Sequence, residues 1–340
     1  MSLKRIAALA GVSKSTVSRV INNDPHVSPR TRQKVQAIID AEQFHVNPAA
    51  RALASNKTQI IGVVITNDIG VLFDTSFYFP TILRGIAEAT RARDYALLLI
   101  IGDKYEDDIR FTRRIVNNQI MDGVIIVSPT IGHPLIDELI KMDIPFVSAD
   151  RIEHDHADIN YITVENVESS RTAVNHMIRL GRRKIAIIVG DRRIIDSTDR
   201  LDGYRLALQD AGIPYDERLV IGNDFTYQSG YQAIQHLLEE GIEFDGVYAS
   251  QSNLSVGALN ALLDAGITIP DDVSLVAFDD LAESLNPTMG ITTMRQDVLK
   301  KGYELTDTLI DLTLGKSDAP IQRFLPTELV IRETCGGLKK

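Results

Sequence analysis

Cysteine is nearly absent: Cys335 is the only one in 340 residues. One thiol cannot close an internal disulfide, so the fold must hold without covalent cross-links and suits a reducing compartment. Long apolar runs are missing too. No stretch approaches the roughly 18 uncharged residues that a membrane helix needs. Met1 to Arg5 are not followed by the apolar run of a secretory leader, so a cytoplasmic location without a membrane partner is expected. The glycine signatures of common enzymes are also missing: there is no GxGxxG, no GxxxxGK[ST] and no GxSxG. Neither enzymatic activity nor a cofactor is expected. His154, Asp155 and His156 cluster, but their spacing suits no helical ligand pair, so they read as a solvated turn and not a metal site.

What is present is ordinary globular material, 44% hydrophobic and 24% charged, in a length that usually makes two or three folding units. The net charge of −10 is unevenly divided. Residues 1–60 carry nine Lys/Arg (such as Lys4, Lys14 and Arg19) against Asp24, Asp40 and Glu42, a net of +6; the remaining 280 residues carry −16. A basic head on an acidic body attracts phosphates at one end and resists non-specific adhesion to DNA elsewhere.

Three short helices are predicted in the head. Leu3 to Ala10 places Leu3, Ile6, Ala7 and Ala10 on one face, and Gly11 can make the tight corner after it. Ser13 caps a second helix through about Asn22, with Val17, Val20 and Ile21 inward. Ser28 and Pro29 open a third helix, as cap and first position, and Val35, Ile38 and Ile39 close the core. Small Ala7, the Gly11 corner and Val17 have the spacing of a helix-turn-helix. The exposed face of the second helix carries Lys14, Ser15, Ser18 and Arg19, which suit base edges and phosphates in a major groove. Thr16, Asn22 and Thr31 join them as candidate DNA contacts.

The run from Leu3 to Asn22, LKRIAALAGVSKSTVSRVIN, resembles the headpiece of the LacI/GalR family of bacterial regulators, and the resemblance continues along the whole chain. It implies that Lys14, Ser15 and Arg19 read bases. Residues 1–46 would then be the headpiece and 47–57 the hinge. After an Asn47 cap and Pro48, the segment to Ser55 has good helix formers but spans only about two turns, marginal in isolation. The family hinge orders on the operator and wedges a leucine into a central base step of the minor groove, which assigns that role to Leu53, with Ala50 and Arg51 beside it. Val46 stands where the family usually has proline, and Arg5 where it usually has an acid.

From residue 58 onward, Ile/Val-rich strands alternate with amphipathic helices. Ile60–Thr66, Ala96–Ile101, Gly123–Ser128 and Phe146–Ala149 form one series; Ile185–Gly190, Leu219–Ile221, Gly246–Ala249 and Ser274–Phe278 form a second. The fold class expected is an all-α headpiece followed by an α/β sensor of two doubly wound parallel sheets. The subdomains are expected at about 58–160 with 292–320, and 161–291 with 321–340.

Ligands of such sheets sit beyond the carboxyl ends of the strands. Reading those ends yields Asp150 and Arg151, then Asp196 and Arg200, then Gln251, then Asp279. Carboxylates, a guanidinium and an amide suit a polyhydroxy ligand, and Phe79 and Phe225 suit the apolar face of a ring. The resemblance points to the same places: its sensor is similar to periplasmic sugar-binding proteins, and Phe79, Asp150, Arg200, Phe225 and Asp279 match its ligand contacts. Gln251-Ser252 replaces its usual Asn-Asp pair, and the loop 68–78 is longer than usual. The resemblance implies a regulator, most simply a repressor, that binds double-stranded operator DNA as a homodimer and responds to a small effector, first of all a saccharide. A purine or a protein partner is the alternative. The short tail after Ile331 has no leucine heptads, so a dimer and not a tail-held tetramer is expected.

Overall fold

The computed structural model describes residues 2–21, 24–42, 57–68, 77–102, 108–117, 120–153, 159–222, 224–280, 289–317 and 320–337. The chain divides into two compact units, Met1–Thr58 and Gln59–Lys340. No helix among the described residues is long and apolar enough to cross a membrane.

The first unit contains α1 (Leu3–Ala10), α2 (Lys14–Ile21) and α3 (Pro29–Ala41). Gly11 leaves α1 at φ 60°, a left-handed conformation that glycine adopts without steric cost. The Val12 N–H then closes the helix end on the Ala7 carbonyl at 3.1 Å. Ser13 Oγ accepts from the Thr16 N–H at the start of α2, and Ser28 Oγ accepts from the Thr31 N–H at the start of α3. Each such cap contributes about 1 kcal/mol. Ile6, Ala7, Ala10, Val17, Val20 and Val35 form the buried centre, with Ile38 and Ile39 packed against it. The predicted corner, caps and core all appear as expected.

The second unit contains two six-stranded sheets. The first half of its chain runs β1 (Ile60–Asp68), α4 (Tyr78–Ala92), β2 (Ala96–Gly102), α5 (Asp108–Val116), β3 (Gly123–Val127), α6 (Pro134–Lys141), β4 (Phe146–Ser148) and β5 (Tyr161–Val164). It continues through α7 (Asn166–Arg179), β6 (Ile185–Ile188), α8 (Ile195–Asp210), β7 (Val220–Ile221), α9 (Tyr227–Glu239), β8 (Gly246–Ala249), α10 (Ser252–Asp264) and β9 (Ser274–Phe278). Last come β10 (Thr292–Gln296), α11 (Val298–Thr313), β11 (Gln322–Leu325) and β12 (Thr327–Val330). The first sheet has the order β11-β5-β4-β3-β1-β2, and the second β12-β10-β9-β8-β6-β7. All pairings are parallel except β10 with β12.

Both faces of each sheet are covered, which explains the continuous apolar strands. Ile61, Val63 and Ile65 pack with Ile82 and Ile86 of α4, while Val64, Val124 and Ile126 pack with Phe111 of α5 and Leu135 of α6. In the second sheet, Ile185 and Ile187 face Met177 and Tyr204, while Ala186 and Ile188 face Ile234 and Leu259.

The expected subdomain boundaries are corrected by the strand pairing. β5 belongs to the first sheet although it begins at 161, and β11 joins it although it begins at 322. β10 belongs to the second sheet, so the segment from 292 does not wholly return to the first. The chain crosses between the sheets at Glu165, Asp297 and Pro326. A four-residue apolar run reads the same whichever sheet it joins, because pairing partners lie far away in the chain.

Candidate functional site

On α2, Lys14, Ser15 and Arg19 are exposed, and Thr16 and Ser18 are half-buried. The Ser13 hydroxyl lies 2.7 Å from that of Ser15 and 2.8 Å from that of Thr16, so both side chains lean on the cap. Arg19 meets Asp24 at 3.7 Å, a loose and mostly solvated pair that contributes little. Thr31 exchanges its hydroxyl contact with Ser28 at 2.9 Å, so it completes the cap of α3. Asn22, Ala50, Arg51 and Leu53 lie outside the described residues, as do most of the 47–57 hinge and the His154–His156 turn.

In the second unit, charged side chains from both sheets meet in the interior. Asp150 follows β4, Asp196 stands in the first turn of α8, Arg200 is one turn further on, and Asp279 follows β9. Arg200 Nε donates to Asn166 Oδ1 at 2.9 Å, and its Nη1 donates to the Ser250 carbonyl at 2.7 Å. Its guanidinium stacks 3.7 Å above the Phe278 ring, and Nη2 stands 3.5 Å from Asp196 Oδ2. Burial opposes the charge of Arg200, but Asp279 and Asp196 outweigh it and raise its pKa.

Asp279 adopts φ 71°, a left-handed conformation uncommon for any residue but glycine. Its N–H donates to the Met294 carbonyl at 3.0 Å, and its own carbonyl accepts from Thr293 Oγ1 at 2.7 Å. Gln296 Nε2 donates to Asp279 Oδ1 at 2.5 Å. Three bonds from β10 thus over-determine a strained corner, a pattern that clusters at functional sites.

Lys301, on α11, donates to Asp150 Oδ1 at 3.0 Å and to the Tyr78 hydroxyl at 3.3 Å. Burial opposes its charge, but Tyr78, Asp150 and Asp196 together raise its pKa. Burial also pushes the Tyr78 hydroxyl upward. The carboxyl of Asp196 is pushed up to about 7, by burial first and by Asp150 second, against the pull of Arg200 and Lys301.

The structure therefore brings Asp150, Asp196, Arg200 and Asp279 together, as the strand ends suggested. Four other candidates stand differently. Phe79 is buried in the first-sheet core, and its neighbour Tyr78 reaches the cation. Phe225 packs over Gly190, where a Cβ would come within 2.0 Å of the ring. Arg151 faces Asp199 at 2.7 Å and so joins the two sheet subdomains. Gln251 caps α10, accepting from the Asn253 N–H at 2.8 Å. Lys301, Tyr78, Asn166 and Gln296 are further members that sequence reading missed. One signal for Lys301 was available: it shares the inward period of α11 with Val298, Leu305 and Leu309, where a lysine is out of place.

The profile described as "Bacterial regulatory proteins, lacI family" matches residues 2–47, and that of the "Periplasmic binding protein-like domain" matches 174–335. The transcriptional regulator CelR of Thermobifida fusca is 34% identical over 98% of this chain and 98% of its own length. This chain belongs to the LacI family. As such it is a DNA-binding transcriptional regulator and not an enzyme. The LacI-family chain is also 31% identical to AglR of Rhizobium meliloti over 99% of this chain and 94% of that one. Among solved structures, it matches a CelR–cellobiose complex with a TM-score of 0.76 and 30% identity, covering 98% of this chain and 99% of the other. A lac repressor dimer bound to operator and the anti-inducer ONPF matches with a TM-score of 0.84 and 26% identity over 98% and 99%. The fold expected for the LacI family, a helix-turn-helix head and a two-sheet sensor, is the fold observed.

Proposed function

We propose that this LacI-family protein is a dimeric repressor whose grip on operator DNA is set by a saccharide bound between its two sheets. The observation that carries this reading is the meeting of Asp150 and Lys301 from one subdomain with Asp196, Arg200 and Asp279 from the other. Isolating several charges from water is costly, and a fold retains them where they recognise something. A sugar hydroxyl both gives and takes a hydrogen bond, so closely spaced carboxylates, a guanidinium and amides match a polyol. The relative CelR, solved with cellobiose, supports a saccharide as the class.

In the head, Lys14, Ser15, Thr16, Ser18 and Arg19 are the proposed DNA contacts, with Arg19 as the main base reader. Asn22, Thr31, Ala50, Arg51 and the Leu53 wedge complete the proposed operator set. In the sensor, Asp150, Asp196, Arg200 and Asp279 are the proposed effector contacts. Phe79, Arg151, Phe225 and Gln251 act in this reading by shaping and closing the site. Effector binding favours one arrangement of the two subdomains, and only its differential affinity for the two arrangements can alter DNA binding.

A thermal-shift screen of the purified protein against mono- and disaccharides, sugar phosphates and purines tests this, with every hit repeated in an operator-binding assay. A saccharide that raises Tm and changes operator affinity is expected, and the direction of the change reads the sign of control. A purine that does both, with saccharides inert, would replace the saccharide reading.

A further inference from the structure

The hydrogen-bond inventory of the charged cluster is lopsided. Its cations already have partners: Arg200 donates to Asn166 and Ser250 and forms a looser ion pair with Asp196 at 3.5 Å, and Lys301 donates to Asp150 and Tyr78. Arg151 at its edge is taken by Asp199. Among the described residues, the buried polar atoms of this region without a partner are Asp196 Oδ1, Gln296 Oε1 and Ser197 Oγ. The first is an acceptor when ionised. The second is an acceptor by elimination, because the amide nitrogen of Gln296 must face the Asp279 carboxylate. The third is a hydroxyl that takes either role. None of these three atoms is an obligate donor. The charges are lopsided in the same sense: Asp150, Asp196 and Asp279 stand against Arg200 and Lys301.

We propose that Asp196 sets the charge of the effector: the cleft accepts an uncharged saccharide, whose hydroxyls donate to Asp196 Oδ1 and Gln296 Oε1, and excludes sugar phosphates and sugar acids. The proposal rests on the reading of this cleft as the effector site. With Asp196 ionised, above about pH 7, a phosphate or carboxylate would bring a second excess negative charge and further acceptors to these unpaired acceptors. An uncharged sugar supplies the missing donors and removes the penalty of leaving buried acceptors unpaired.

The selectivity carries a pH signature. Asp196 is faced by Asp150 from the end of β4, by Lys301 from α11, by Tyr78 from α4, and by Arg200 and Asp199 on its own helix. Burial and Asp150 hold its carboxyl up at about 7. A hydroxyl donor prefers the ionised form, so affinity rises as the pH passes upward through that value.

The test is calorimetric titration of the full-length protein with neutral mono- and disaccharides, each beside its 6-phosphate and its aldonic acid, at about pH 6 and about pH 8. The neutral member of at least one set is expected to bind about tenfold or more tightly than its anionic counterparts, and more tightly at the higher pH. Asp196→Asn, which removes the charge permanently, is expected to lose about tenfold in affinity for that sugar and its pH dependence. An anionic sugar that binds as tightly as its neutral parent overturns the proposal and leaves the effector site standing. So does an unaltered Asp196→Asn titration. If no saccharide of either charge binds, the effector-site reading itself falls, and the proposal with it.

Discussion

Lys301 and Asp150 pair at 3.0 Å with side chains only 1% and 3% exposed. They join α11 to the end of β4 inside one subdomain, 151 residues apart in sequence. Removing one partner of such a pair leaves an uncompensated buried charge. Lys301→Met should therefore cost about 3–5 kcal/mol of stability. The double variant Lys301→Met with Asp150→Asn should recover much of the loss. Urea denaturation of the parent and the two variants measures both, and a single variant as stable as the parent would show that the pair is dispensable.

Arg151 and Asp199 connect opposite subdomains, at 2.7 Å through Nη2 and 3.4 Å through Nε. The Ile131 N–H also reaches across to the Arg193 carbonyl at 2.7 Å. Arg151 is about one-third exposed, so the pair is partly screened. Asp199→Ala should lower global stability by about 1 kcal/mol or less. Its clearer effect should be a several-fold loss of effector affinity, because a bond that spans the two subdomains favours the arrangement in which they lie together. A titration unchanged by Asp199→Ala would count against this cross-cleft tie.

The raised pKa of Asp196 has a consequence for stability without ligand. In the unfolded chain its carboxyl titrates in the ordinary range near 3.9. In the folded protein it titrates at about 7. Between those values the folded state holds a proton that the unfolded state has released, so this group's contribution falls as the pH rises through the window and levels off above it. Asp196→Asn should flatten the stability profile from about pH 4 to pH 7. Denaturation midpoints across that range check it; a slope identical to the parent's would place the titration elsewhere.

Arg19 is free enough to leave Asp24 for a base edge. Arg19→Ala should cost about 1–3 kcal/mol of operator affinity and relax the preference at one base pair. Competition binding with singly substituted operators reads both quantities. Equal losses on every sequence would mark Arg19 as a phosphate contact only.

Much of this was legible because it is local. The Gly11 corner, the Ser13 and Ser28 caps and the face made by Ile6, Val17 and Val20 are set by neighbours a few residues away. Asp150 and Asp279 could be found because the carboxyl ends of parallel strands mark where a ligand can sit. Gln251 illustrates the limit. Its place after β8 was correct, but its amide closes the helix beside it. Phe79 shows the same ambiguity, since an aromatic at a strand-to-helix junction serves a core as readily as a ligand.

The division into a basic head and an acidic sensor, the helices with their caps, and the continuous Ile/Val strands that demand cover on both faces follow from the order of residues alone. These depend on period, propensity and charge, which are properties of short segments. That β5 and β11 join the first sheet while β10 and β12 join the second emerges only in the folded chain. So do the pairing of Lys301 with Asp150 and the unpartnered oxygen of Asp196. Those outcomes depend on which distant segments share a layer, and on how far burial removes a charge from water. No local pattern specifies either.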